Sequence, residues 1–202
     1  MAARATRASS DKVFVIAHIF GALDVTRRIV AFVGPIGAGK TEAATTLARV
    51  GPWRHISFAS PLKELVARIT VDGKIDKLRD RPLLQFVGEQ YYRALDPSHW
   101  LDLFAARVRD AHEAGYDVVV DDARYDNELN YIASKQGGIY YIYNPRADEH
   151  AAVRDGGPVN TLPGHGSNRL SAADTRIRKI INNSGSLEQF HTRVLAIKTE
   201  AT

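Results

Sequence analysis

Cysteine is absent from the 202 residues, and methionine occurs once. The first absence excludes a disulfide framework and any zinc site built on thiolates, and it accords with a reducing cytoplasm. The seven histidines, at positions 18, 55, 99, 112, 150, 165 and 191, show no metal-ligand spacing, which argues against a zinc hydrolase. Long apolar runs are missing too. The most apolar early stretch, residues 13–23, is shorter than a membrane span and carries His18. Arg4, Arg7 and Lys12 precede it as they would in a secretory leader. It then runs into Asp24, Arg27 and Arg28 without a small-residue cleavage site, so no leader is expected. Charge of one sign is also scarce: 27 Lys and Arg against 23 Asp and Glu leave a net +4. Residues 1–28 hold +3 of it, so the remainder offers no broad basic face for a nucleic-acid polymer. Lysine is sparse against arginine, 8 to 19, which favours planar forks that grip phosphate over point charges.

What remains is an ordinary globular composition, 45% hydrophobic and 25% charged, at a length that suits one domain. Strand-like and helix-like segments alternate. Residues 29–33, 55–58, 117–121 and 139–143 read as strands; 29–33 and 117–121 are near-continuous apolar runs, as strands buried on both faces are. Residues 41–50, 61–69, 81–95, 98–114, 127–136 and 186–198 read as helices. Such alternation predicts an α/β/α sandwich on a mostly parallel sheet. Residues 144–173 break the rhythm with three prolines and four glycines, the mark of a long lid-like loop. After it, residues 177–181 form a short apolar stretch. The expected layout is an N-terminal extension over 1–28 and one domain over 29–202.

Gly34-Pro35-Ile36-Gly37-Ala38-Gly39-Lys40-Thr41 matches G-x-x-x-x-G-K-[ST], behind a buried strand and ahead of a helix. That context is what the physics needs. Backbone N–H groups at Gly34, Gly37, Ala38 and Gly39 and the helix N-terminus present positive charge to phosphates. Lys40 reaches the β- and γ-phosphates, and the Thr41 hydroxyl ligates Mg²⁺. Asp121 and Asp122 close the 117–121 strand at its carboxyl end, the edge at which open α/β sheets bind ligands. One of them beside Thr41 completes a metal site. Which one stays open, because adjacent strand residues point to opposite faces. Arg124 can hold an acceptor phosphate bidentately, or it can pair with Asp121, Asp122 or Asp126.

The phosphate loop, Ser57-Phe58-Ala59-Ser60-Pro61-Leu62-Lys63-Glu64, Leu84-Gln85-Phe86-Val87-Gly88-Glu89-Gln90-Tyr91-Tyr92-Arg93, Asp96 to Trp100, Asp121-Asp122-Ala123-Arg124-Tyr125-Asp126-Asn127-Glu128, Gly137-Gly138 and Asn182-Asn183-Ser184-Gly185 together resemble the deoxynucleoside monophosphate kinases of tailed bacteriophages. The likeness runs from about residue 29 to 197. It implies that ATP, with Mg²⁺, donates its γ-phosphoryl group to a deoxynucleoside 5′-monophosphate. Residues 60–114 then form the acceptor-binding helical region. Ser60, Lys63, Gln85, Arg93, Trp100 and Arg124 are the acceptor-site candidates, and Tyr91 and Tyr92 are pocket walls. Gln85 is open between a base contact and a solvated helix face, and Trp100 between base platform and core. Lys40, Arg124, Asp121 and Asp122 are the catalytic candidates. Asn183 and Gly185 sit where similar kinases wrap the adenine. Arg146, Arg154 and Arg169 are the lid arginines. One departure stands out: the family's His-x-Ser-Glu reads His165-Gly166-Ser167-Asn168 here.

Two rivals share the phosphate loop, a small-metabolite kinase and a noncatalytic ATP-binding accessory of replication or packaging. A switch GTPase is disfavoured by the lack of an Asn-Lys-x-Asp guanine reader in the expected later strand. The likeness further implies a small-molecule partner, no polymeric nucleic acid and no membrane. It leaves a homodimer open and points to the cytoplasm, that of the host if the source is viral.

Overall fold

The computed structural model describes residues 27–70, 72–76, 79–147 and 172–199. Five strands form one sheet: β1 (Ile29–Val33), β2 (Trp53–His55), β3 (Asp117–Val120), β4 (Gly138–Tyr143) and β5 (Ile177–Asn182). Their order is β2-β3-β1-β4-β5, and every neighbouring pair is parallel. All carboxyl ends therefore share one edge, and β1 lies in the middle.

The helices are α1 (Lys40–Arg49), α2 (Ser60–Ala67), α3 (Arg81–Gln85), α4 (His99–Glu113), α5 (Asp126–Ser134) and α6 (Leu187–Leu195). The alternating side chains of β1 explain the three layers. Ile29, Ala31 and Val33 pack with Phe104 and Val108 of α4 and Leu129 and Ile132 of α5. Val30 and Phe32 pack on the other face with Ala43, Ala44 and Leu47 of α1 and Phe190 and Val194 of α6. The expected α/β/α sandwich is thus the observed one, and the apolar stretch at 177–181 proves to be the edge strand β5.

Two local features depart from the expected pattern. The second strand ends at His55 rather than running to 58. The backbone N–H groups of Phe58 and Ala59 donate to the Asp122 carboxylate, both at 3.0 Å, so they leave the ladder. The helix expected over 81–95 winds from α3 into a π-helical segment, Phe86–Arg93. There the Gly88 carbonyl accepts a hydrogen bond from the buried Trp100 indole (2.8 Å), and a Cβ at Gly88 would meet Leu62 Cδ2 at 2.7 Å. Wide turns of this kind recur at functional sites. No helix of the described residues is long and apolar enough to cross a membrane.

Candidate active site

The phosphate loop leaves the end of β1 and enters α1. Its three glycines all have positive φ: Gly34 at 134°, Gly37 at 86° and Gly39 at 106°. Close approach adds to the requirement. A Cβ at Gly34 would lie 2.7 Å from the Ile142 carbonyl oxygen, and one at Gly39 would lie 2.5 Å from Asn183 Nδ2. The loop is thereby pressed onto β4 and the end of β5. Asn183 fixes it further, donating to the Ala38 carbonyl at 2.8 Å. No side chain caps α1, so its N-terminus turns the positive end of the helix dipole toward the loop. Lys40 Nζ lies across the loop, 2.8 Å from the Gly34 oxygen and 2.7 Å from that of Pro35.

Beside β1, the end of β3 delivers Asp121. One of its oxygens accepts from Thr41 Oγ1 at 2.5 Å, and the other lies 2.8 Å from His55 Nε2. Burial pushes the Asp121 carboxyl up. The His55 and Thr41 hydrogen bonds and the charges of His55 and Lys40 outweigh this and hold it below its ordinary value. In return, the hydrogen bond to Asp121 lifts the His55 imidazole above its ordinary value, against burial and the nearby charge of Lys63. Asp122 turns elsewhere. Its carboxylate accepts from Ser57 Oγ at 2.5 Å and from the backbone N–H groups of Phe58 and Ala59. The two neighbours thus part: Asp121 meets the phosphate loop, and Asp122 anchors the chain that leads into α2.

The turn after β3 carries Arg124. Its guanidinium is exposed and makes no ion pair with Asp121, Asp122 or Asp126; Asp126 pairs instead with Arg176 at 2.7 Å. Its backbone N–H donates to Glu128 Oε2 at 2.8 Å. Glu128, in the first turn of α5, is 2% exposed. It also meets Arg93 Nη2 at 3.0 Å, and the Arg93 guanidinium lies 3.7 Å from the Tyr125 ring centre. Tyr125 donates its hydroxyl hydrogen to Glu89. Burial, assisted by Glu89, pushes the Tyr125 hydroxyl well above its ordinary value. Burial likewise raises the Glu128 carboxyl.

The remaining candidates divide. Ser60, Lys63 and Gln85 are half-buried on the helical region between β2 and β3. Trp100 belongs to the core, with its indole N–H spent on Gly88, which is the second of the two roles open to it. Gly185 stands before the α6 capping pair, in which Ser186 and Gln189 exchange hydrogen bonds at 3.2 Å. Arg146 is exposed, next to Ala147, whose Cβ would be 3.9 Å from one placed on Gly37. Arg154, Arg169 and the segment 165–168 lie outside the described residues. Three further residues join these contacts: His55, Glu89 and Glu128. His55 could have been found only by knowing that β2 lies beside β3. Glu89 and Glu128 stand in recognisable motif blocks, but their contacts join distant positions.

Among the described residues, no group of three or more His, Asp or Glu side chains could hold a metal unaided. A Thr hydroxyl with one carboxylate suits Mg²⁺, which takes most of its ligands from phosphate and water.

No family model and no curated protein matches the sequence. Among solved structures, dephospho-CoA kinase from Campylobacter jejuni superposes with a TM-score of 0.55 at 12% identity, over 86% of this chain and 96% of that one. A sugar kinase from a Janibacter species gives 0.48 at 15% identity, over 84% and 93%. The likeness to the first is one of fold, the parallel α/β sandwich of P-loop kinases.

Proposed function

On this fold and this site, we propose that the chain transfers the γ-phosphoryl group of ATP to a deoxynucleoside 5′-monophosphate, giving the diphosphate and ADP. One observation carries the reading: the Thr41–Asp121 contact at 2.5 Å joins the phosphate loop to the strand end whose next turn bears the exposed Arg124. In this reading the donor side and the acceptor side meet at the carboxyl edge of adjacent strands. The family resemblance of the motif blocks narrows the acceptor to a deoxynucleotide.

Phosphoryl transfer asks the protein for alignment and charge more than for covalent chemistry. The loop N–H groups and the start of α1 bind the ATP phosphates. Lys40 swings from its two carbonyls to the β- and γ-oxygens. Thr41 and Asp121 would hold Mg²⁺, which supplies neutralisation of the phosphate oxygens when bound. His55 holds the Asp121 carboxylate in place. Asn183 and Gly185 border the adenine. Arg124 and Arg93 take the acceptor phosphate, with Lys63 and Ser60 at the same helical region and Gln85 toward the base. Asp122 and Trp100 build the walls rather than touch the nucleotide. Arg146, with Arg154 or Arg169, supplies lid charge that shields the transfer from water.

An ADP-release assay with dAMP, dCMP, dGMP and dTMP tests the reading, and acceptor-dependent turnover with at least one is expected. Turnover confined to non-nucleotide hydroxyl acceptors would establish the small-metabolite kinase instead, and ATP binding without any turnover the accessory protein. Arg124→Ala is expected to lower kcat and raise the acceptor KM, each by about tenfold, since a charge-assisted bidentate contact is lost. Unchanged constants would remove Arg124 from the acceptor site.

A further inference from the structure

The Glu128 carboxylate stands apart because nothing in the chemistry above uses it, yet it is buried and fully engaged. Its side chain is 3% exposed and that of Arg93 is 18% exposed. One oxygen takes the Arg93 guanidinium at 3.0 Å, and the other takes the backbone N–H groups of Arg124 at 2.8 Å and Tyr125 at 3.2 Å. Burying such a pair brings little stability over an apolar replacement, so its presence calls for another reason. Arg93 supplies one. Its Nε is buried and has no hydrogen-bond partner. A buried donor left unmade is costly, and a nearby anion is the natural partner of a guanidinium edge. The Tyr125 ring under the guanidinium fixes the plane of that fork, and Glu89 fixes Tyr125 through its hydroxyl.

We propose that Glu128 is a positioning residue, holding Arg93 by its side chain and Arg124 by its backbone so that both present donors to the acceptor's phosphate. The inference rests on the kinase reading above and deepens it. Because donors occupy both Glu128 oxygens, the pair offers N–H groups rather than negative charge to an incoming anion. Arg93 of the π-helical segment and Glu128 of α5 are 35 positions apart, and this carboxylate ties the segment to the turn after β3 alongside the Tyr125–Glu89 bond.

Glu128→Gln tests the assignment. Glutamine keeps the shape and one acceptor, but it turns a neutral donor group on one of its partners. The acceptor KM is expected to rise at least tenfold, with the ATP KM unchanged within twofold. A merely structural residue would shift both constants or neither. A cycle with Arg93→Met sharpens the result. If Glu128 acts through Arg93, the double variant has the acceptor KM of Arg93→Met alone within threefold, whereas independent, multiplying effects overturn the proposal. Should Glu128→Gln not fold, Arg93→Lys carries the test. It keeps the charge and loses the flat fork and its Nε–H, so the acceptor KM again rises at least tenfold, and an unchanged value overturns the proposal. Wild-type enzyme is assayed alongside with the four deoxynucleotides. If it turns over none of them, the kinase reading fails and takes this inference with it. If it is active and Glu128→Gln matches it toward the acceptor, only the positioning role fails.

Discussion

Lys40→Ala lowers kcat by about 10²–10³ while the protein remains folded. The size follows from removing one preorganised cationic donor that meets charge developing on the transferred group. The ammonium bonds to the Gly34 and Pro35 carbonyls at 2.8 and 2.7 Å, at the rim of the loop rather than in the core. Its removal therefore exposes two carbonyls to water, and the stability change stays near 1 kcal/mol. The measurement pairs ADP release under saturating substrates with a thermal unfolding curve. A variant within tenfold of wild type would displace the lysine from the transfer step. A variant that fails to fold would mean that the lysine braces the loop.

Asp122→Ala acts in the opposite way, on the fold first. Three donors converge on this carboxylate: Ser57 Oγ, Phe58 N and Ala59 N. Alanine leaves them without the anion, and solvent reaches the partly exposed position to replace some of the loss. The expected destabilisation is roughly 3 kcal/mol. Urea unfolding reads it as a lower midpoint with an unchanged slope. A loss below about 1 kcal/mol would show that water serves these donors as well as Asp122 does. Activity is expected to fall as well, because the proposed acceptor-site residues Ser60 and Lys63 ride on the chain that Asp122 anchors.

These two residues also show what was readable in the chain. The phosphate loop is local chemistry: eight consecutive residues after an apolar strand, with glycines where backbone must pass close to backbone. The strands β1, β3 and β4 and most helices are legible from run length and period, and the parallel sandwich follows from their alternation, whereas β2 lies earlier than its apolar residues suggest and β5 reads only as an apolar stretch. The division of labour between Asp121 and Asp122 did not, because it depends on which strand lies beside β3. The β2-β3-β1 order, invisible in composition, sends Asp121 to Thr41 and His55 and sends Asp122 to Ser57. The π-helical turn was hidden for a related reason, since its Trp100–Gly88 bond is a tertiary contact imposed on a helix-forming stretch. Trp100 itself was open between two roles on spacing alone, and burial decided it. Glu128 stood inside a recognisable block, but its meaning lay in Arg93, far away along the chain.

The grip of Asn183 on the Ala38 carbonyl has a consequence for how the molecule comes into being. The two residues are 145 positions apart. The ribosome therefore makes the phosphate loop well before the residue that braces it. The central strand of the sheet must also wait, first for β3 and then for β4, before it has neighbours on both sides. The native shape of the loop is therefore complete only once Asn183 has emerged, rather than being set as the loop itself is made. A nascent chain stopped short of Asn183 holds the whole phosphate-loop sequence without the clamp that sets its shape.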